Sequence, residues 1–148
     1  MTEQDKQLLL EDLCARLPYG VKIHYSRSTN TQFDEDIDDI MIGINTSIQC
    51  VETDEASWLS LERIKPYLRP ISSMTEEERL ELSMLTNDEF KFYLYTNEPI
   101  IMCSGKDYNY LNGLLILDWL NKNMFDYRGL IPKGRAIAVT EENNPYTN

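Results

Sequence analysis

From Tyr108 to Asn123 the chain carries only two charged residues, Asp118 and Lys122, and its apolar residues recur at helical spacing. Tyr108, Leu111, Leu115 and Trp119 fall on one face, flanked by Leu114, Leu117 and Leu120. A helix apolar on most sides must be enclosed by other elements. It is expected to be the central helix of the core, touching both the N-terminal helix and a sheet. Ser104 with Asp107 marks its candidate start. The longest apolar run, Leu114 to Leu117, is far shorter than the roughly 20 residues that cross a bilayer.

The other elements follow from local signals. Thr2 is placed to cap a first helix, with Asp5 reaching back, and Leu9, Leu10, Leu13 and Leu17 give that helix an apolar face. Pro18 ends it. Val21, Ile23 and Tyr25 alternate with Lys22 and His24, the period of a half-buried strand. Ser26 to Gln32 reads as a loop, and the acids Asp34, Glu35, Asp36, Asp38 and Asp39 read as its solvated continuation. Ile40 to Ile44 and Ile48 to Val51 read as two strands turning at Asn45-Thr46-Ser47. Trp58 to Ile64 fits a short helix or an irregular edge, and Pro66 and Pro70 hold Tyr67-Leu68-Arg69 extended or turned. Thr75-Glu76-Glu77-Glu78 is a capping box that opens a helix to about Asn87. Phe90 to Ile101 is open between helix and strand, and its alternating aromatics fit a strand buried on both sides. Gly129 and Gly134 punctuate the end, before a last strand at Ala136 to Val139.

The fold class expected is therefore α+β, a small antiparallel sheet packed against an N-terminal helix and a central C-terminal helix. Residues 1–140 form one domain and 141–148 a polar C-terminal tail. The 148 residues are enough to bury a core without metal or disulfide. Cys14, Cys50 and Cys103 are odd in number and form no C-x-x-C pair, which points to a reducing compartment. The start of the sequence lacks the basic residues of a secretion signal. Twenty-five acids against 14 bases give a net charge of −11. Such a chain repels phosphate, so neither a nucleic-acid backbone nor an anionic membrane is an expected partner. A basic protein is.

No constellation points to chemistry. Asp34-x-Asp36-x-Asp38 opens like a calcium loop, but Asp39 stands where glycine is needed and Asn45 where the closing glutamate is needed. His24, the one histidine, reads as a surface residue, and the cysteines read as buried thiols. Ser104-Gly105-Lys106 lacks the upstream glycine of a phosphate loop. No catalytic residue, metal or cofactor is assigned. Four residues are candidate interface anchors: Tyr67 and Arg69, held between prolines, and Tyr127 and Arg128, in the turn before Gly129. Tyrosine and arginine anchor interfaces because each buries a large area around a polar head. The competing structural reading ties the arginines into internal ion pairs, Arg128 with Asp126 among them, and puts the tyrosines in the core.

Three blocks carry a family resemblance: Leu9 to Val21, Lys65 to Glu78, and Asp118 to Asn121 with Phe125 to Ile131. Together they resemble a family of short uncharacterised proteins of gut Bacteroides-type bacteria and their phages. Phe90 to Ile101 is longer than that family's pattern. The resemblance implies a bacterial or phage cytoplasm and an accessory role, and carries no catalytic residue with it. The expected function is non-enzymatic: an accessory protein of a phage or mobile element that binds a host or phage protein through an acidic, tyrosine-rich face, as a monomer or a homo-oligomer. The alternatives are a nucleotide-like ligand binder or hydrolase, and a structural subunit of an assembly.

Overall fold

The elements run in the order α1 (Glu3–Arg16), β1 (Lys22–Arg27), β2 (Glu35–Asn45), β3 (Cys50–Thr53), β4 (Leu59–Ser60), β5 (Ile64–Leu68), α2 (Glu76–Thr86), β6 (Glu89–Tyr95), β7 (Glu98–Ser104), α3 (Tyr110–Lys122) and β8 (Ile137–Ala138). The structure is a computed structural model that describes residues 1–29, 33–86, 89–95, 98–104 and 110–147, and between 86 and 112 the course of the backbone alone.

The two predicted helix starts that fall among the described residues both form. Thr2 Oγ1 accepts the Asp5 N–H, which satisfies one of the unpaired donors at the start of α1. At α2, Thr75 Oγ1 accepts the Glu78 N–H while Glu78 Oε2 accepts the Thr75 N–H, a reciprocal box. Pro18 lies in a short 3-10 turn after α1, and Gly20 reverses the chain at a φ of 70°, where a side chain is strained.

Six strands form one sheet in the order β4-β3-β2-β1-β5-β8. The pairs are antiparallel except β5–β8, so the sheet is mixed rather than purely antiparallel. Its inner face is the alternate set read from the sequence: Val21, Ile23 and Tyr25 are buried, with Met41, Val51, Ile64 and Leu68 beside them. Leu9, Leu10 and Leu13 of α1 cover this face. Each such side chain stabilises the fold by about 1.5–3 kcal/mol.

A second cluster joins Ile71, Met74, Leu82, Ile116, Trp119, Leu120 and Phe125. Here the expectation for the central helix is met in part: Trp119 is buried and the N-terminal helix is touched, but the helix is not enclosed on most sides. α3 packs chiefly on α2 and touches α1, helped by a Tyr19–Asp118 hydrogen bond. Its buried residues, Ile116, Trp119 and Leu120, share one face, while Leu114, Leu115 and Leu117 are exposed. Enclosure of every side would need a further layer, and α1 already occupies the inner face of the sheet. β6 and β7 pair as an antiparallel two-stranded ribbon, so the described part of Phe90 to Ile101 is strand. Burial of its side chains, the Ser104–Asp107 start and Tyr108 lie outside the described residues.

The predicted polar tail is packed onto the domain. The register sets Ile23 opposite Pro66, and one step on Lys22 comes level with Tyr67. There the Tyr146 hydroxyl takes the place of a ladder bond: it accepts the Lys22 N–H at 3.1 Å and donates to the Tyr67 carbonyl at 2.8 Å. Asn143 holds the preceding turn through Thr140 N–H and the Ala138 carbonyl.

Candidate functional site

The acidic cluster is a strand, not a loop. Residues 35–40 of β2 pair with β1 without a break, so successive side chains go to opposite faces. Ile37 and Met41 go inward, and Asp39 goes with them. Asp39 was hard to place from sequence because it is an acid at a buried position. Its carboxylate accepts the N–H groups of Ile40 at 2.7 Å and Glu55 at 2.8 Å, and so fixes the departure of the chain after β3. Burial pushes this carboxyl up, but the bonds from Thr53, Glu55 and Ile40 outweigh it and hold it below the usual carboxylate range.

Asp36 and Asp38 go to the outer face, opposite Ser26 and His24 of β1. Ser26 Oγ donates to Asp36 Oδ1 at 2.7 Å. His24 Nδ1 lies 2.8 Å from Asp38 Oδ1, and its Nε2 lies 3.7 Å from Asp36 Oδ1. From β5, the Tyr67 hydroxyl donates to the same Asp38 oxygen at 2.8 Å, and its ring meets the imidazole edge to face. Burial, then the Asp38 carboxylate, push the Tyr67 phenol up to about 12. Beside the cluster runs an open cleft of about 440 Å³ lined by His24, Ser26, Glu62, Arg63, Lys65 and Ile137.

The two carboxylates are held in place by a hydroxyl, a phenol and an imidazole. Several other acids face a permanent cation, Asp12 with Arg16, Glu35 with Arg27, Glu78 with Arg69 and Asp5 with Arg135, while the buried Asp39 and Asp126 are held by backbone N–H groups. Asp36 and Asp38 stay 72% and 52% exposed at the side chain. The outer sheet face is thus a preorganised pair of negative charges.

Of the four sequence candidates, Tyr67 belongs to this face, and it is buried there rather than presented. The other three lie at a different place, around Phe125. Arg69 donates to both Glu78 oxygens at 2.7 and 2.9 Å and stacks 4.2 Å above the Phe125 ring. The Tyr127 hydroxyl donates to Asn121 Oδ1, and its ring has Arg16 and Arg128 against it. Arg128 does not pair with Asp126 as expected; it reaches Glu11 at 3.5 Å and Asp12 at 3.4 Å. Asp126 instead accepts the N–H groups of Leu130 and Ile131, which closes the turn without a cation. The three blocks of the family resemblance converge here, with Arg16 donating to the Phe125 carbonyl and Arg69 bonded by its backbone to Met124 and Asp126.

No family profile, curated protein or solved structure matches this chain.

Function is therefore argued from the geometry. The Ser26 hydroxyl donates to Asp36, and the His24 Nδ1 is bonded to Asp38. Among the described residues no three His, Cys, Asp or Glu side chains converge as a metal site. Cys14 is exposed, against the expectation of a buried thiol, and partial desolvation, then Glu11, push its thiol up. Cys103 lies outside the described side chains.

Acid should unfold the protein in part through Glu78. Burial raises this carboxyl, but Arg69 and Thr75 together hold it below the usual range. Like Asp39, it binds a proton less readily folded than unfolded. The stabilisation is complete above about pH 4.5 and is lost as pH falls through the lowered values. Asp126 has the opposite sign: burial raises it, so its contribution is present below about pH 4 and lost as pH rises. The urea midpoint should therefore fall between about pH 5 and pH 3, and Glu78→Gln should shrink that fall while lowering the midpoint at neutral pH. An acid slope unchanged in Glu78→Gln would refute this origin.

Proposed function

We propose that the chain is a non-enzymatic interaction protein that binds a basic protein partner through the outer face of β1, β2 and β5. The observation that carries the reading is the pair Asp36 and Asp38, fixed by Ser26, His24 and Tyr67 yet facing no lysine or arginine within ion-pair distance among the described residues. Fixed carboxylates with exposed oxygens offer a lysine or arginine head a charge-assisted bond at little ordering cost. The net charge of −11 steers a basic partner toward the chain and makes association weaken with salt. Tyr67 serves as a positioning residue under this reading, and Arg69, Tyr127 and Arg128 hold the fold. The setting implied by the family resemblance, an accessory protein of a phage or mobile element in a bacterial cytoplasm, belongs to the same proposal.

The test separates local from global charge. Once a partner has been captured and identified, Asp36→Asn/Asp38→Asn should weaken it by about tenfold or more. Glu76→Gln/Glu77→Gln, which removes the same charge from α2, should stay within about twofold. Equal losses in the two variants would mean that overall charge, and not this face, recruits the partner.

A further inference from the structure

The backbone beneath the acidic face is open on one side. Met41 N–H donates to the Val21 carbonyl, so Met41 turns its backbone polar groups toward β1. In an unbroken antiparallel ladder this role alternates, so Asp39, Ile37 and Glu35 also face β1, and Asp36, Asp38 and Ile40 face away. On that far side β3 pairs with β2 from Met41 to Asn45, and Asp54 N–H takes up the Ile40 carbonyl. The chain then leaves, because the Asp39 carboxylate draws Glu55 inward. Among the described residues nothing bonds the backbone N–H and C=O of Asp36 or Asp38. The opposite margin of the hairpin is closed: where β5 stops at Ile64, the Arg63 guanidinium donates to the Ser26 carbonyl. The sheet's outermost strands, β4 and β8, are two residues long.

We propose that the edge of β2 from Glu35 to Asp39 takes an extended, basic segment of a partner protein as an added strand. The proposal rests on the reading of the acidic face above and specifies how the partner is held. A strand laid on this edge would bond to the four free backbone groups of Asp36 and Asp38. Its residues opposite those two would share the outer face with them, so that alternate lysines or arginines meet the two carboxylates. Its other side chains would lie beside Ile37. Charge decides the occupant. A second copy of this chain would bring Glu35, Asp36 and Asp38 against their own kind, and the same acids guard the edge from self-pairing.

The probe is the full chain with a peptide of alternating lysine and valine, six residues long, compared with the same peptide N-methylated at the lysine amides. The second carries the same charge but lacks the lysine N–H groups that an added strand donates. The unmethylated peptide should bind at least about tenfold more tightly. Hydrogen exchange at the Asp36 and Asp38 amides should slow about tenfold or more, with the Ile37 and Asp39 amides, already bonded to β1, unchanged. Equal binding of both peptides with no slowed exchange would overturn the added strand and leave the acidic face standing as a charge receptor. Undiminished binding of the unmethylated peptide by Asp36→Asn/Asp38→Asn would overturn the basic occupant and the acidic reading together. Absence of binding by either peptide would overturn the proposal.

Discussion

Asp12→Ala is expected to cost about 3–5 kcal/mol, and Arg16→Met distinctly less. Both side chains are fully buried, and the guanidinium donates to the carboxylate through Nε at 2.8 Å and Nη2 at 2.9 Å. The two truncations leave different remainders. Without Asp12, a buried guanidinium keeps its bond to the Phe125 carbonyl at 2.7 Å and loses both bonds to carboxylate oxygens, with its Nη1 already unpartnered. Without Arg16, Asp12 still has Arg128 at 3.4 Å. An uncompensated buried charge is the larger penalty. For a domain of this size the melting temperature should fall by roughly 6–20 °C in Asp12→Ala. Asp12→Leu/Arg16→Met, which removes both charges and keeps the volume, should be more stable than Asp12→Ala alone. Chemical denaturation read at constant m-value checks the series. A loss below about 1 kcal/mol in Asp12→Ala, or a larger loss in Arg16→Met, would sink this account.

Phe125→Ala should destabilise by a similar amount, about 3–5 kcal/mol. Phe125 is fully buried, stacked on Trp119 with centroids 5.6 Å apart and planes 14° apart, and the Arg69 guanidinium lies 4.2 Å from its ring centre. Truncation opens a cavity and removes both stacking partners at once. It also loosens the position from which Arg69 holds Glu78, and with it the start of α2. The near-ultraviolet circular dichroism of Trp119 should flatten with the fall in melting temperature, and Phe125→Leu should recover about half of the loss. An unchanged Trp119 signal in Phe125→Ala would contradict the stacking account.

What could be read along the chain was whatever closes within about four residues. Thr2 with Asp5 and Thr75 with Glu78 are bonds of that span, and both are made as expected. The alternation of Val21, Ile23 and Tyr25 needs only the pleat of one strand, and it sorted inner from outer face correctly. The last strand, read at Ala136 to Val139 after two punctuating glycines, forms at Ile137–Ala138. The acidic run escaped because the rule sorts by polarity. Asp39 is a carboxylate placed in an apolar phase, satisfied by Glu55, 16 residues on, so the alternation that makes 35–41 a strand was hidden.

Partnerships across the fold were settled elsewhere. Arg128 stands two residues from Asp126, yet it pairs with Glu11 and Asp12, and Asp126 is left to two backbone N–H groups. Arg16 suits the end of a surface helix when read locally. It is buried because the Phe125 carbonyl, 109 residues further on, closes over it. His24 and Asp38 lie 14 residues apart in the chain, and the register of β1 on β2 makes them neighbours. A charged side chain takes its partner from whatever packing brings within about 4 Å, because a buried charge left alone costs several kcal/mol. Local backbone bonds are strong enough to place helices and strands. The identity of each ion pair, and the open edge of β2, follow from where those elements come to rest against one another.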